Sequence, residues 1–170
     1  MSLKAEDLFV RTLSEVLRIF PRIRELLGDD PDFHVLLREL RKSLSVSEKA
    51  YYSTGAYRLC ADCAIRERST CCGRDMELSV SRELLILNLF LGVTFPEKRT
   101  FARGCFFLTL KGCSLKARPI ICRNFFCAWF REHFPHEKLI FLQKAQEDEM
   151  TLVFQLEVFL KEKLFFMELR

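Results

Sequence analysis

CADCAIRERSTCCG, residues 60–73, packs Cys60, Cys63, Cys71 and Cys72 into one short stretch, and Cys105, Cys113, Cys122 and Cys127 follow it. No cysteine lies before position 60 or after position 127. Thiolates bind zinc and iron well, and a reducing compartment leaves a chain few other uses for eight of them. The segment therefore reads as a metal-binding one. The fold expected around it is mainly α, a small single domain over 1–170 with helices packed around an irregular cysteine-rich metal-binding segment. Residues 1–59 read as N-terminal helices, 60–127 as the cysteine cluster, and 136–170 as a C-terminal helix or helices.

Outward from that window, apolar residues recur at helical spacing. Leu8, Phe9, Leu13, Val16, Leu17 and Phe20 predict a first helix that Pro21 kinks or restarts and Gly28 ends. Asp30 followed by Pro31 predicts an N-cap and first helical residue for a second helix to about Leu44. Ser47 before Glu48 predicts the cap of a third, running into Tyr57. Within the cysteine window, Met76–Val80 alternates like a short strand or an extended lead-in. Ser81 then caps an apolar helix that Gly92 stops, and residues 93–121 read as irregular. A short aromatic helix is expected from Phe125 to Phe134, with Pro135 ending it. Residues 137–169 lack Gly and Pro and predict one long helix, or two broken near Gln146–Glu149, where like charges crowd.

Composition and charge narrow the function classes. At 170 residues the chain is long enough to bury a core without a metal. Phenylalanine is over-supplied, 17 residues, enough to fill a helical core and to wall water from a metal. The N-terminus lacks the pattern of a secretory signal, and the longest apolar run, 84–93, is too short to span a membrane, so a cytoplasmic location is expected. That makes a disulfide framework the lesser reading of the cysteines. Of the net charge of +4, residues 60–135 hold 12 Lys/Arg against 7 Asp/Glu, and cations there would offset the charge of metal-bound thiolates. These cations are dispersed rather than clustered, so nucleic acid is not an expected partner; an unidentified protein is.

The spacings say what the thiols could do. Cys60 and Cys63 form a C-x2-C pair, whose tight turn would aim both sulfurs at one metal. Adjacent Cys71 and Cys72 point apart and suit a multinuclear cluster or two separate metals. Gly73, Gly104 and Gly112 each touch a cysteine in sequence, where glycine permits turns that bring backbone N–H groups to a thiolate. Cys122 and Cys127 cannot share a metal from one unbroken helix. The preferred arrangement leaves Cys122 in a loop before an Asn124-capped helix whose first turn holds Cys127.

With these motifs assembled, CADCAIRERSTCCG at 60–73, GCFFL at 104–108, GCSL at 112–115 and RPIICRNFFC at 118–127, the chain resembles the YkgJ-type cysteine-cluster family of zinc- or iron-chelating CxxCxxCC domains. Cys60, Cys63, Cys71 and Cys72 match the family's opening group, and Cys105, Cys113 and Cys122 its later one, with Cys127 after it. Arg118, Pro119 and Arg123 match an Arg-Pro element. The resemblance covers about 58–130 and departs in one respect: seven residues separate Cys63 from Cys71 where the family has two. It implies a bound metal of open identity. The cysteine segment of flagellin lysine N-methylases is similar, which leaves a protein-modifying enzyme in view.

Irregular thiol intervals beside Phe106, Phe107, Phe125, Phe126 and Phe130 favour an iron–sulfur cluster over zinc. His34 reads as structural or exposed, whereas His133 and His136 are minor candidates for a nitrogen ligand. Arg118 and Arg123 are expected near the thiols of the Cys122 region as charge partners. No phosphate-binding or hydrolase motif accompanies the cysteines. The function expected is metal or iron–sulfur binding for electron transfer or redox sensing. The alternatives are a structural zinc module that presents its helices to a protein, or an enzyme.

Overall fold

Phe9, Leu13, Val16, Phe20, Ile23 and Leu27 lay one apolar stripe along α1 (Ser2–Leu27), and that stripe is where the helix meets the rest of the fold. The structure, a computed structural model, describes residues 2–66 and 71–168, with side chains described for 7–63, 66 and 71–165. The break expected at Pro21 does not occur: the helix runs through it. Proline costs a helix interior about 3 kcal/mol relative to alanine. Ile23 and Leu27 beyond it are both buried, and burying two such side chains contributes roughly 3–6 kcal/mol, enough to hold the helix together. Leu8 and Leu17, read as part of the stripe, are exposed instead.

Asp30 caps α2 (Pro31–Ser53) as expected, its carboxylate accepting from the Phe33 N–H at 3.0 Å. The helix does not end near Leu44, and Ser47 is not a cap. Ser47 is fully buried and its hydroxyl donates to the Ala145 carbonyl at 3.0 Å, tying α2 to α7 (His136–Glu168). The chain turns only at Thr54-Gly55, and α3 (Ala56–Ile65) follows.

α7 is one unbroken helix, and its buried positions Leu142, Gln146, Glu149, Val153, Leu156, Leu160 and Leu164 face the interior at 3–4 residue intervals. The expected break fails because Gln146 and Glu149 point inward and Glu147 and Asp148 outward, so the four polar residues do not crowd one face. α2 and α7 run antiparallel. Lys163 near the end of α7 meets Asp30 at the start of α2 (2.7 Å), while Ala145 in the first half of α7 meets Ser47.

Ser81 caps α4 (Arg82–Phe90), accepting from the Leu84 N–H at 3.0 Å. Leu84, Leu85, Ile86, Leu87 and Asn88 are all buried, so this helix is enclosed rather than amphipathic. Before it, the expected strand is a 3-10 turn, Met76–Ser79. Alternation misleads there because Glu77, which it would place outward or inward with its neighbours, is 1% exposed; it pairs with Arg99 and accepts from the Phe106 N–H at 3.2 Å. Burial would raise the Glu77 carboxyl, but the Arg99 hydrogen bond with the backbone N–H groups holds it below its ordinary value. A two-residue hairpin, β1 (Leu108–Thr109) and β2 (Gly112–Cys113), then leads to two short helices, α5 (Ile120–Asn124) and α6 (Ala128–His133).

The architecture is mainly helical, as expected. The 60–127 window is less irregular than expected, since it holds the end of α3, all of α4 and α5. Two apolar clusters form. The larger gathers α1, α4, the first half of α2 and the second half of α7 around Phe33, Phe106 and Phe107. The smaller lies at the other end of the α2–α7 pair, where Ala50, Leu142, Phe130 and Phe134 pack with thiols. Among the described residues no helix is long and apolar enough to cross a membrane.

Candidate metal centre

Six local structures deliver the cysteines. Cys60 and Cys63 stand on α3 itself, three residues apart and so on one helical face, rather than in the tight turn that C-x2-C suggested. Cys71 and Cys72 come next in the described chain. A backbone bridge pairs Gly73 with Gly104, the Cys105 N–H donates to the Cys72 carbonyl at 2.7 Å, and the Arg74 N–H donates to the Arg103 carbonyl at 2.8 Å. This small ladder joins the opening and later cysteine groups. Gly104 is needed for closeness, since a Cβ there would lie 3.0 Å from Phe101 Cβ and 3.1 Å from a Leu108 methyl. Of the three glycines singled out in the sequence, only Gly112 has a positive φ, +97°, at the hairpin turn before Cys113.

Cys122 lies within α5 and Cys127 is the N-cap residue of α6. The two are therefore on separate helices, as the five-residue spacing requires. Asn124 ends α5 and does not cap α6, which corrects the expected arrangement. No disulfide joins any of the eight cysteines.

The thiols converge. Cys60, Cys63, Cys71, Cys72, Cys113, Cys122 and Cys127 line one cavity of ≈ 80 Å³, together with Tyr51, Phe125, Phe126, Trp129 and Phe130. Cys105 lines an adjoining cavity of ≈ 50 Å³, whose walls also include Cys71, Cys72, Cys113 and Cys122. Among the described residues no group of three or more His, Cys, Asp or Glu side chains is already arranged so that it could hold a metal ion. The sulfurs share cavity walls instead.

Their protonation follows from that crowding. Burial raises the Cys63 and Cys105 thiols to about 12 and Cys122 to about 11, and nearby thiols add to each rise. Burial likewise raises Cys60, although a hydrogen bond from Tyr51 opposes it. Cys71 alone is lowered, by hydrogen bonds from Cys72 first and from Cys127, while Cys72 rises as the donor of that pair. The group thus holds one favoured thiolate among reluctant neighbours. A bound cation would reverse this balance, since a coordinating thiol is deprotonated outright. As a donor set, unbridged, soft and half to fully buried, the eight sulfurs fit a thiophilic metal.

Arg118 lines both cavities, and its guanidinium lies 5.7 Å from the Tyr51 ring centre. Burial works against its charge, but Cys113, Tyr51, Glu149 and Cys72 together raise it beyond an ordinary guanidinium. Arg123, expected to share this role, faces the first cavity but is committed to buried Glu149 (Nε to Oε1 2.7 Å). His34 is exposed and bonded to the Gly28 carbonyl; His133 is exposed, stacked on Trp129 and bonded to its carbonyl. Neither of these histidines, nor His136, lines the thiol cavities.

Sequence reasoning missed Asn88 and Gln146. Asn88 is buried in α4, donates to the Leu84 and Ala117 carbonyls, and accepts from the Lys116 and Ala117 N–H groups at 2.9 and 3.2 Å. It therefore fastens the stretch between Cys113 and Arg118 to the main core. A lone amide inside LLILNLFLGV was the available signal, because a buried amide must find partners. Gln146 faces the first cavity with an Oε1 that has no hydrogen-bond partner among the described residues. Compared with protein-family models, curated proteins and solved structures, the chain matches none.

Proposed function

We propose that this chain binds a metal through its clustered cysteines, as an iron–sulfur protein acting in electron transfer or redox sensing in the cytoplasm. One observation carries the reading: seven sulfurs from α3, the Cys71-Cys72 pair, β2, α5 and the start of α6 face one cavity with no disulfide between them. Burial and neighbouring thiols keep most of these groups protonated, and a bound cation would take them as thiolates. Irregular thiol intervals beside aromatic residues support a cluster over a single zinc. Aromatic walls from Phe125, Phe126, Trp129 and Phe130 would limit water, one of the levers on cluster potential. The likeness to the YkgJ-type family agrees with this proposal.

Residues of this chain would supply the thiolates and, through Arg118, a fixed positive charge. The chemistry supplied by the group itself is one-electron exchange. Purification without oxygen, followed by iron, zinc and acid-labile sulfide analysis and a visible spectrum, tests the reading. Iron with sulfide and absorption that bleaches on reduction is the expected result. Stoichiometric zinc without colour would replace it by a structural zinc module that presents its helices to a partner. Chain without metal, with thiols intact, would end both.

A second reading has one observation in its favour. The unpartnered Gln146 Oε1 faces an aromatic-lined cavity beside the sulfurs, a polar group in an apolar pocket of the kind that orients small ligands. An enzyme modifying a protein side chain would need such a place. Retention of S-adenosylmethionine by chain purified without oxygen would support it.

A further inference from the structure

We propose that the eight thiols form two four-sulfur metal centres sharing a wall: Cys60, Cys63, Cys71 and Cys127 in one, Cys72, Cys105, Cys113 and Cys122 in the other. This rests on the metal-binding reading above and goes beyond it by dividing the ligands.

Cavity walls give the first argument. Cys60, Cys63 and Cys127 reach only the first cavity and Cys105 only the second, while Cys71, Cys72, Cys113 and Cys122 border both. Tetrahedral thiolate sites and the common iron–sulfur clusters take four cysteines each. Three sulfurs private to the first cavity need one more; one private to the second needs three. The shared four therefore split as one and three.

Packing gives an independent argument. Cys60, Cys63, Cys71 and Cys127 all belong to the smaller apolar cluster, whereas Cys105 and Cys113 pack against the larger one. The division of thiols follows the division of the fold. The backbone contact of 2.7 Å between Cys105 and Cys72 also holds Cys72 on the second side, while Cys71 precedes it on the first.

Charge supplies the last element. Two thiolate-rich centres side by side repel, and Arg118 is the cation that borders both cavities. Its place between them lowers that repulsion.

Cobalt(II) is a suitable probe, because its thiolate charge-transfer bands count four-sulfur sites directly. Full-length chain, freed of metal without oxygen, is titrated as wild type, Cys63→Ser and Cys105→Ser. Wild type is expected to saturate at about two Co²⁺ and each variant at about one, following four thiolates per site. The two variants should retain different bands whose sum matches wild type. Saturation of wild type at a single ion, or loss of all binding in either variant while far-UV helicity persists, would overturn the division and leave the metal-binding reading standing. No thiolate band in wild type, together with no iron, zinc or sulfide in chain purified without oxygen, would end both. The wild-type break point decides even if a variant does not fold.

Discussion

The antiparallel pair α2–α7 serves two different ends. At one end, Phe33, Leu37 and Leu40 of α2 meet Val153, Leu156, Leu160 and Leu164 of α7, joined by α1, α4 and the Phe9–Phe106–Phe107 ring group in one apolar cluster. At the other end, Ala50 and Tyr51 of α2 meet Leu139, Leu142 and Ala145 of α7, and the space beyond is lined by sulfur and aromatic edges around a cavity. The same two helices therefore help α1 and α4 close one core and border a cavity at the other end. On the proposed reading, a metal completes that second region.

The sharpest way to break this comparison is to remove the proposed metal. Metal binding by small thiolate sites contributes on the order of 10 kcal/mol to the folding of their surroundings. Anaerobic chelation should strip amide-exchange protection from α3, the Cys71–Gly73 stretch, β2, α5 and α6, while α1, α4 and the second half of α7 keep theirs. Equal loss in both regions, or none in either, would show that the cavity end is not held by metal. A converse experiment follows. Phe33 is fully buried beside Phe90 and Phe159, so Phe33→Ala should cost about 3–5 kcal/mol in global denaturation whether or not metal is present. A cost that depends on metal would mean that the two regions unfold as one.

The two regions also differed in how far they could be read from the chain itself. The first was legible because its signals are local and repeated: Asp30-Pro31, Ser81, Gly92 and apolar spacing of 3–4 residues announce helices without reference to anything distant. Its errors came where tertiary burial overruled a local sign, at Pro21, Ser47 and the charged run of α7. Of the second region, the cysteines were legible as candidates, as was the separation of Cys122 from Cys127, but not the Gly73–Gly104 bridge, which depends on a pairing across some thirty residues. Arg118 and Arg123 looked equivalent in sequence. Only the buried Glu149, more than twenty residues on, separates a cation committed to an ion pair from one that borders the sulfurs.

Asn88 links the regions, so its removal measures how firmly one steadies the other. Asn88→Ala leaves the Lys116 and Ala117 N–H groups and the Ala117 carbonyl short of partners, at a cost of roughly 1–3 kcal/mol. The stretch from Cys113 to Arg118 should then loosen, and metal affinity should fall along with stability. Denaturation and a competitive chelator titration on the same protein check this. A stability loss with affinity unchanged would show that the main core does not position the site.

Asp30 provides the smallest and cleanest control, because it touches only the hydrocarbon end. Its carboxyl is held below the ordinary carboxylate value, first by the hydrogen bond from Lys163 and then by the Phe33 N–H it caps. A group whose folded value is depressed contributes stability that is present above its unfolded value, 3.8, and is lost as pH falls through the lower folded value. Asp30→Ala should cost about 1 kcal/mol at neutral pH, typical of a lost N-cap, and the difference from wild type should shrink below pH 3.8. Because Asp30 and Lys163 sit at the end of α2–α7 far from Tyr51 and Ala145, metal content and the visible spectrum should not change. A spectral change in this variant would mean that strain travels the length of the helix pair, and the separation between a self-sufficient core and a metal-completed one would fail at its most conservative point.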